Sequence, residues 1–217
     1  MSQLAVLMLS VASATTYLFQ LRQPPSISRA ATKTASTTLL SFLTYIRHSP
    51  SPLTTALALG SLGDAFLAFD SDVAFLRGLA SFLVAHLLYI RLFAEQHGGL
   101  LSTLTVVSFD TTLTAAAGGL ASLVAILLVV LLPGVASDLR LPVLIYSLTI
   151  FTMGVVATAV EINRQQVLTG ALLFTASDAI LALDRFLVAP ESPLRSVMQY
   201  SVWTLYYSGQ LLIALGF

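Results

Sequence analysis

The chain contains no cysteine. Disulfides and thiolate chemistry are therefore excluded, and cysteine usage says nothing about redox compartment. Charge is nearly as scarce. Ten Lys and Arg against ten Asp and Glu amount to 9% of the 217 residues, with a net charge of zero, where a soluble domain carries about 25%. So few charges cannot cover a water-facing surface, and lipid must be the main solvent. The zero net charge argues against nucleic acid as a partner. Only three histidines are present, His48, His86 and His97. A metal site needs about three ligands, and only His86 lies well inside an apolar run. These residues call for no metal and no cofactor.

What the chain has is apolar runs. It is 57% hydrophobic, with a mean hydropathy of +0.90. At about 20 residues per crossing, seven or eight helices and short loops fill its length. The expected spans are Leu4 to Leu21, Thr34 to Ile46, Leu53 to Phe69, Val73 to Phe93, Leu113 to Leu132, Leu141 to Val160, Val167 to Leu187 and Ser196 to Gly216. The second is short and rich in Ser and Thr. Leu100 to Phe109 is too short to span, and either lies at the interface or extends the next helix. Val11-Ala12-Ser13-Ala14 has the small residues of a cleavage site, but no basic residue precedes the apolar run, so a retained first helix is preferred. Arginine and lysine favour the loops after odd-numbered helices by seven to three, which places those loops in the cytoplasm and both termini outside. The expected fold is an all-α polytopic membrane helix bundle of eight transmembrane helices, one integral membrane domain over residues 1–217.

Two stretches share one spelling. Gly63-Asp64-Ala65-Phe66-Leu67-Ala68-Phe69-Asp70 and Ser177-Asp178-Ala179-Ile180-Leu181-Ala182-Leu183-Asp184 lie 114 residues apart. They fall on the third and seventh helices, in corresponding places of two four-helix halves. Arg77 and Arg195, and Tyr89 and Tyr207, are each 118 apart. This reads as a parallel 4+4 internal repeat, about 1–110 and 111–217; the alternative is chance in an alphabet of few letters.

A carboxylate within an apolar run is expensive and usually faces a bundle interior or wet cavity. Asp64 continues a small-residue stripe, Ala56, Gly60 and Ala68, which lets backbones approach and turns it inward. Asp64 and Asp178 are therefore the candidate catalytic residues. Two buried carboxylates in proximity favour one protonated acid beside one carboxylate, a general acid and a general base. Glycosidases divide labour this way over an oxocarbenium-like transition state. The pair suits hydrolysis of an acid-labile lipid linkage, and proton relay in a transporter nearly as well. The bland reading is helix glue, each Asp bonding a Ser or Tyr. Asp70, Asp72 and Asp184 read as solvated caps at the interface, Asp184 pairing with Arg185 or its neighbours.

Candidate substrate-binding residues are Lys33, Arg77, His86, Tyr89, Tyr206, Tyr207 and Gln210. Gly78, Phe82, His86 and Tyr89 share one helix face, as do Trp203, Tyr207 and Gln210. Each has its ordinary explanation: His86 a satisfied core histidine, the tyrosines an interfacial belt, Gln210 helix glue, Lys33 a snorkelling headgroup contact.

The ordered set of short motifs resembles the YhhN family of multi-pass membrane proteins, which includes the lysoplasmalogenases. It comprises Gly63-Asp64, then Gly78-Leu79-x-Ser81-Phe82-Leu83-x-Ala85-His86-x-x-Tyr89, and Pro142-Val143-x-Ile145-Tyr146. It continues with Gly170-Ala171-Leu172-x-Phe174-x-x-Ser177-Asp178, Arg185-Phe186, and Tyr206-Tyr207-x-x-Gln210-x-Leu212-Ile213. The resemblance runs from about Lys33 to the C-terminus. Where the family usually has Lys-Pro, this chain has Lys33-Thr34. The resemblance implies an eight-helix enzyme that hydrolyses the vinyl ether of a lysoplasmalogen. The products would be a fatty aldehyde and a glycerophospho-ethanolamine or -choline. His86, Tyr207 and Gln210 would orient water or lipid oxygen, and Lys33 or Arg77 would hold the phosphate. The membrane would be that of the endoplasmic reticulum in a eukaryote, or the inner membrane in a bacterium. Three rivals stand beside this reading: a proton-coupled small-solute or lipid transporter, a metal-dependent intramembrane hydrolase, and a non-catalytic lipid-binding protein.

Overall fold

Serine and aspartate mark where several of the helices start. In a computed structural model describing residues 2–69, 71–189 and 191–217, Ser2 accepts the Ala5 amide and opens α1 (Gln3–Gln20). Ser26 does the same for Arg29 and opens α2 (Ile27–Ile46). Each cap satisfies one of the donors that a helix start leaves without an intrahelical partner. Pro50 and Pro52 bracket the start of α3 (Ser51–Phe66). Ser71 accepts from the Ala74 amide ahead of α4 (Asp72–Ala94). After a single turn over Glu95–His97 come α5 (Leu100–Phe109) and α6 (Thr111–Leu131). Asp110, extended at φ −97° and ψ 117°, separates these two and caps the second. The chain closes with α7 (Arg140–Thr158), α8 (Arg164–Phe186) and α9 (Leu194–Gly216). The described residues are helical throughout, with turns and loops but no strand.

Two helices depart from expectation. α2 begins at Ile27 rather than near Thr34, because the Ser26 cap outweighs the low helix propensity of the Ser/Thr run. Leu100–Phe109 is a helix of its own, broken from α6 at Asp110. Among the described residues, five helical segments are long and apolar enough to cross a membrane: Gln3–Gln20, Asp72–His97, Thr111–Gly134, Arg140–Thr158 and Arg164–Phe186. α3 falls short at 16 residues, and α2 and α9 carry many polar side chains. Almost none of the most apolar span, α6, is buried; it presents Leu123, Ile126 and Val129 outward, as a lipid-facing helix must. Asp70, expected as an interfacial cap, and Pro190, expected in the loop before α9, lie outside the described residues.

The chain folds as two compact units, divided at Leu92 and Phe93. In the first, α2 packs against both α1 and α3. α4 lies along α3: Ser81 donates to the Leu59 carbonyl at 2.7 Å, and the Phe82 ring fills the space where a Cβ on Gly63 would sit. In the second, α7 packs between α6 and α8, α5 covers α6 and α7, and α8 and α9 form the most extensive contact. That contact depends on two glycines. A Cβ on Gly209 would lie 2.7 Å from the Gly170 carbonyl oxygen, and one on Gly170 would lie 2.9 Å from that of Gly209. Backbone meets backbone there, which only glycine permits.

Candidate functional site

Asp64 sits at the centre of the first unit. It occupies the buried face of α3 with Ala56, Leu57 and Gly60, and is 1% exposed. Thr37 of α2 donates its hydroxyl to Asp64 Oδ2 at 2.6 Å. Lys33, one turn earlier on α2 and the chain's single lysine, brings Nζ to 3.5 Å from Asp64 Oδ1. The two contacts follow from helical spacing, since residues four apart on α2 share a face. The Tyr17 ring of α1 covers Lys33, with Nζ 5.9 Å from its centroid. A second hydroxyl layer surrounds the pair: Ser61 donates to the Thr34 carbonyl at 3.1 Å, Ser36 to that of Lys33 and Ser10 to that of Ser36. Lys33, Ser36, Thr37, Ser41 and Thr44 of α2 thus face inward, which is why a Ser/Thr-rich helix is stable in this apolar chain. Sequence reasoning missed Thr37, although its position four residues after Lys33 was visible.

Lys33 was expected at the membrane rim, holding phosphate. It is instead buried against a carboxylate. Arg77, the other candidate for phosphate, is exposed on α4. His86 and Tyr89 are fully buried on the α4 face with Phe82. His86 Nδ1 lies 2.7 Å from the Phe82 carbonyl. A carbonyl only accepts, so Nδ1 carries a proton.

The second unit also holds an aspartate that accepts from a neighbouring helix. Asp178, also buried, accepts the Tyr146 hydroxyl from α7 at 3.0 Å. In both copies of the motif, then, a hydroxyl on the preceding helix donates to the aspartate, Thr37 to Asp64 and Tyr146 to Asp178. The preceding small residue meets the following helix in both: Gly63 packs against Phe82, and Ser177 donates to the Val202 carbonyl at 2.9 Å. The inner face of α9 carries Trp203, Tyr206, Tyr207 and Gln210, all buried. Tyr206 meets Phe174 edge to face at 5.4 Å, and Tyr207 stacks on Trp203 at 6.0 Å. Buried on a helix–helix face, Tyr206 and Tyr207 do not form an interfacial belt.

Asp184 requires correction. Expected as a solvated cap, it is 6% exposed. Its Oδ1 lies 3.4 Å from Arg195 Nε, so its counter-charge comes from the start of α9. The α8–α9 contact, which no local pattern reveals, buries the end of α8. Asp72, by contrast, is exposed in the first turn of α4. Among the described residues no three His, Asp or Glu side chains gather as a metal site would require.

The YhhN family model matches residues 28–217. Three similar proteins carry the name lysoplasmalogenase. That of Mycobacterium bovis is 30% identical over 76% of this chain and 59% of its own length. Lysoplasmalogenase TMEM86B of Homo sapiens is 34% identical over 74% of the chain and 61% of its own. Lysoplasmalogenase TMEM86A of Bos taurus is 29% identical over 74% and 62%. The chain thus spans about three-fifths of the length of these relatives. No solved structure matches it. With nearly all of its length matched from α2 onward, the chain belongs to the YhhN family.

Proposed function

We propose that this multi-pass membrane protein hydrolyses the vinyl-ether bond of a lysoplasmalogen, releasing a fatty aldehyde and a glycerophospho-alcohol. The observation that carries the reading is the burial of two aspartates, each given a hydroxyl donor by the preceding helix. The names of its relatives supply the substrate class. The reaction begins when an acid delivers a proton to the β-carbon of the vinyl ether, leaving an oxocarbenium at the α-carbon. A carboxylate stabilises that cation and takes a proton from the attacking water. The hemiacetal then collapses to aldehyde and alcohol. Asp64 and Asp178 are the candidate carboxyl groups for this chemistry, each buried in its own unit. The buried His86, Tyr89, Tyr206, Tyr207 and Gln210 would orient water and lipid.

The reading extends to architecture. α1–α4 and α6–α9 correspond as two parallel four-helix halves, with α5 as the link. The matched hydroxyl–aspartate contacts support this, and eight crossings then require α2, α3 and α9 to be shielded from lipid by their neighbours. The same duplication favours a second reading, proton-coupled transport of a small solute or lipid, since such repeats underlie many transporters.

Aldehyde release from lysoplasmenyl-ethanolamine by the purified protein tests the first reading, with Asp64→Asn and Asp178→Asn alongside. Activity in the wild type and at least a hundredfold loss in both folded variants is expected. No aldehyde from any vinyl-ether lipid would refute it, and proton-coupled flux in reconstituted vesicles would then decide the second.

A further inference from the structure

Of the two cations the sequence suggested for the lipid phosphate, Lys33 is paired with Asp64 and Arg77 lies exposed on α4. The α8–α9 turn provides a third. Arg195 is partly enclosed, its side chain 28% exposed, and Asp184 beneath it is buried. Asp184 engages the Nε side of the guanidinium. An arginine steadied in this way presents its terminal nitrogens as a fixed fork, the geometry that grips a phosphate through two parallel hydrogen bonds. Arg185 adjoins Asp184 in sequence and is exposed, and Glu191 lies in the turn between them and Arg195, so the stretch is charge-balanced and Arg195 acts through its geometry.

The spacing along α8 fits one kind of ligand. Asp178 and Asp184 are six residues apart, about 9 Å along the helix at 1.5 Å per residue. In a lysoplasmalogen, seven bonds separate phosphorus from the vinyl β-carbon that takes the proton. Extended chain advances about 1.2 Å per bond, or about 8 Å over seven. A phosphate held near the level of Asp184 would leave that carbon near the level of Asp178 along the helix axis.

We propose that Arg195, positioned by Asp184, binds the phosphate of a lysophospholipid headgroup. The inference rests on the lysoplasmalogenase reading for its ligand, but binding tests it without turnover. The probe is an uncleavable 1-O-alkyl-glycerophosphoethanolamine, compared with the same 1-O-alkylglycerol lacking phosphate. Both are titrated onto the purified full chain in detergent, and affinity is read from thermal stabilisation. The wild type is expected to prefer the phosphate-bearing lipid at least tenfold. Arg195→Gln is expected to bring the two within twofold while leaving alkylglycerol affinity unchanged, and Arg195→Lys, which keeps charge but loses the fork, to fall between. Equal affinity of the wild type for both lipids overturns the site with no variant needed, as does a preference that survives in Arg195→Gln. Inorganic phosphate competing as well as the lipid would overturn the assignment to a headgroup. Phosphate preference without aldehyde release from the vinyl-ether lipid keeps the site and removes the hydrolase reading. Equal cleavage of phosphorylated and phosphate-free alkenyl lipids does the reverse.

Discussion

Lys33 Nζ lies 3.5 Å from Asp64 Oδ1, with both side chains buried between α2 and α3. Neither charge can be removed alone without stranding the other in an apolar interior. Breaking such a pair costs about 3–5 kcal/mol, whereas removing both charges costs far less. Lys33→Met and Asp64→Asn should each lower the unfolding midpoint in detergent strongly. The double variant should be more stable than the sum of the single effects predicts. Additive losses would show that the two groups do not interact. Lys33→Arg should retain most of the stability, because the counter-charge remains.

Two hydroxyls reach the two aspartates, and nearly isosteric variants remove each. Thr37→Val and Tyr146→Phe delete the donors at 2.6 Å and 3.0 Å. Each leaves a buried carboxyl short of a hydrogen bond, a loss of about 1–3 kcal/mol. Aldehyde release should fall at least tenfold in both, with folding retained. Full activity in either variant would remove that aspartate's hydroxyl partner from the chemistry.

The α8–α9 contact gives a packing prediction with a built-in control. Gly209→Ala forces a methyl to within 2.7 Å of the Gly170 carbonyl oxygen, so the helices must move apart, at about 1–3 kcal/mol. Gly118→Ala on α6 meets nothing within 4 Å and should be neutral or stabilising by about 0.5–1 kcal/mol, as alanine favours helix. Thermal unfolding of the two variants side by side checks the contrast.

Chelation offers a fourth test. With three histidines in the chain and no gathered ligand set among the described residues, the proposed chemistry depends on carboxylates. Aldehyde release should stay within twofold after prolonged treatment with EDTA, as measured on the purified protein. Loss of activity restored by a divalent metal would reassign the mechanism.

Composition and local pattern decided much of this protein. The scarcity of charge made it a membrane protein, because uncovered apolar surface needs lipid. Apolar runs between Pro, Gly and Ser punctuation set most helix ends within a few residues, since caps and breakers act on adjacent backbone. The repeated Asp motif marked Asp64 and Asp178, because a carboxylate in an apolar run stands out without any knowledge of its neighbours. The tertiary structure decided which groups those carboxylates meet. Lys33 turns in to Asp64 rather than out to headgroups, Tyr146 reaches Asp178, and Asp184 is buried against Arg195 instead of solvated. A helix contact is set by which faces pack and how closely. Here that closeness depends on glycines at Gly170 and Gly209, 39 residues apart in the chain and touching in space.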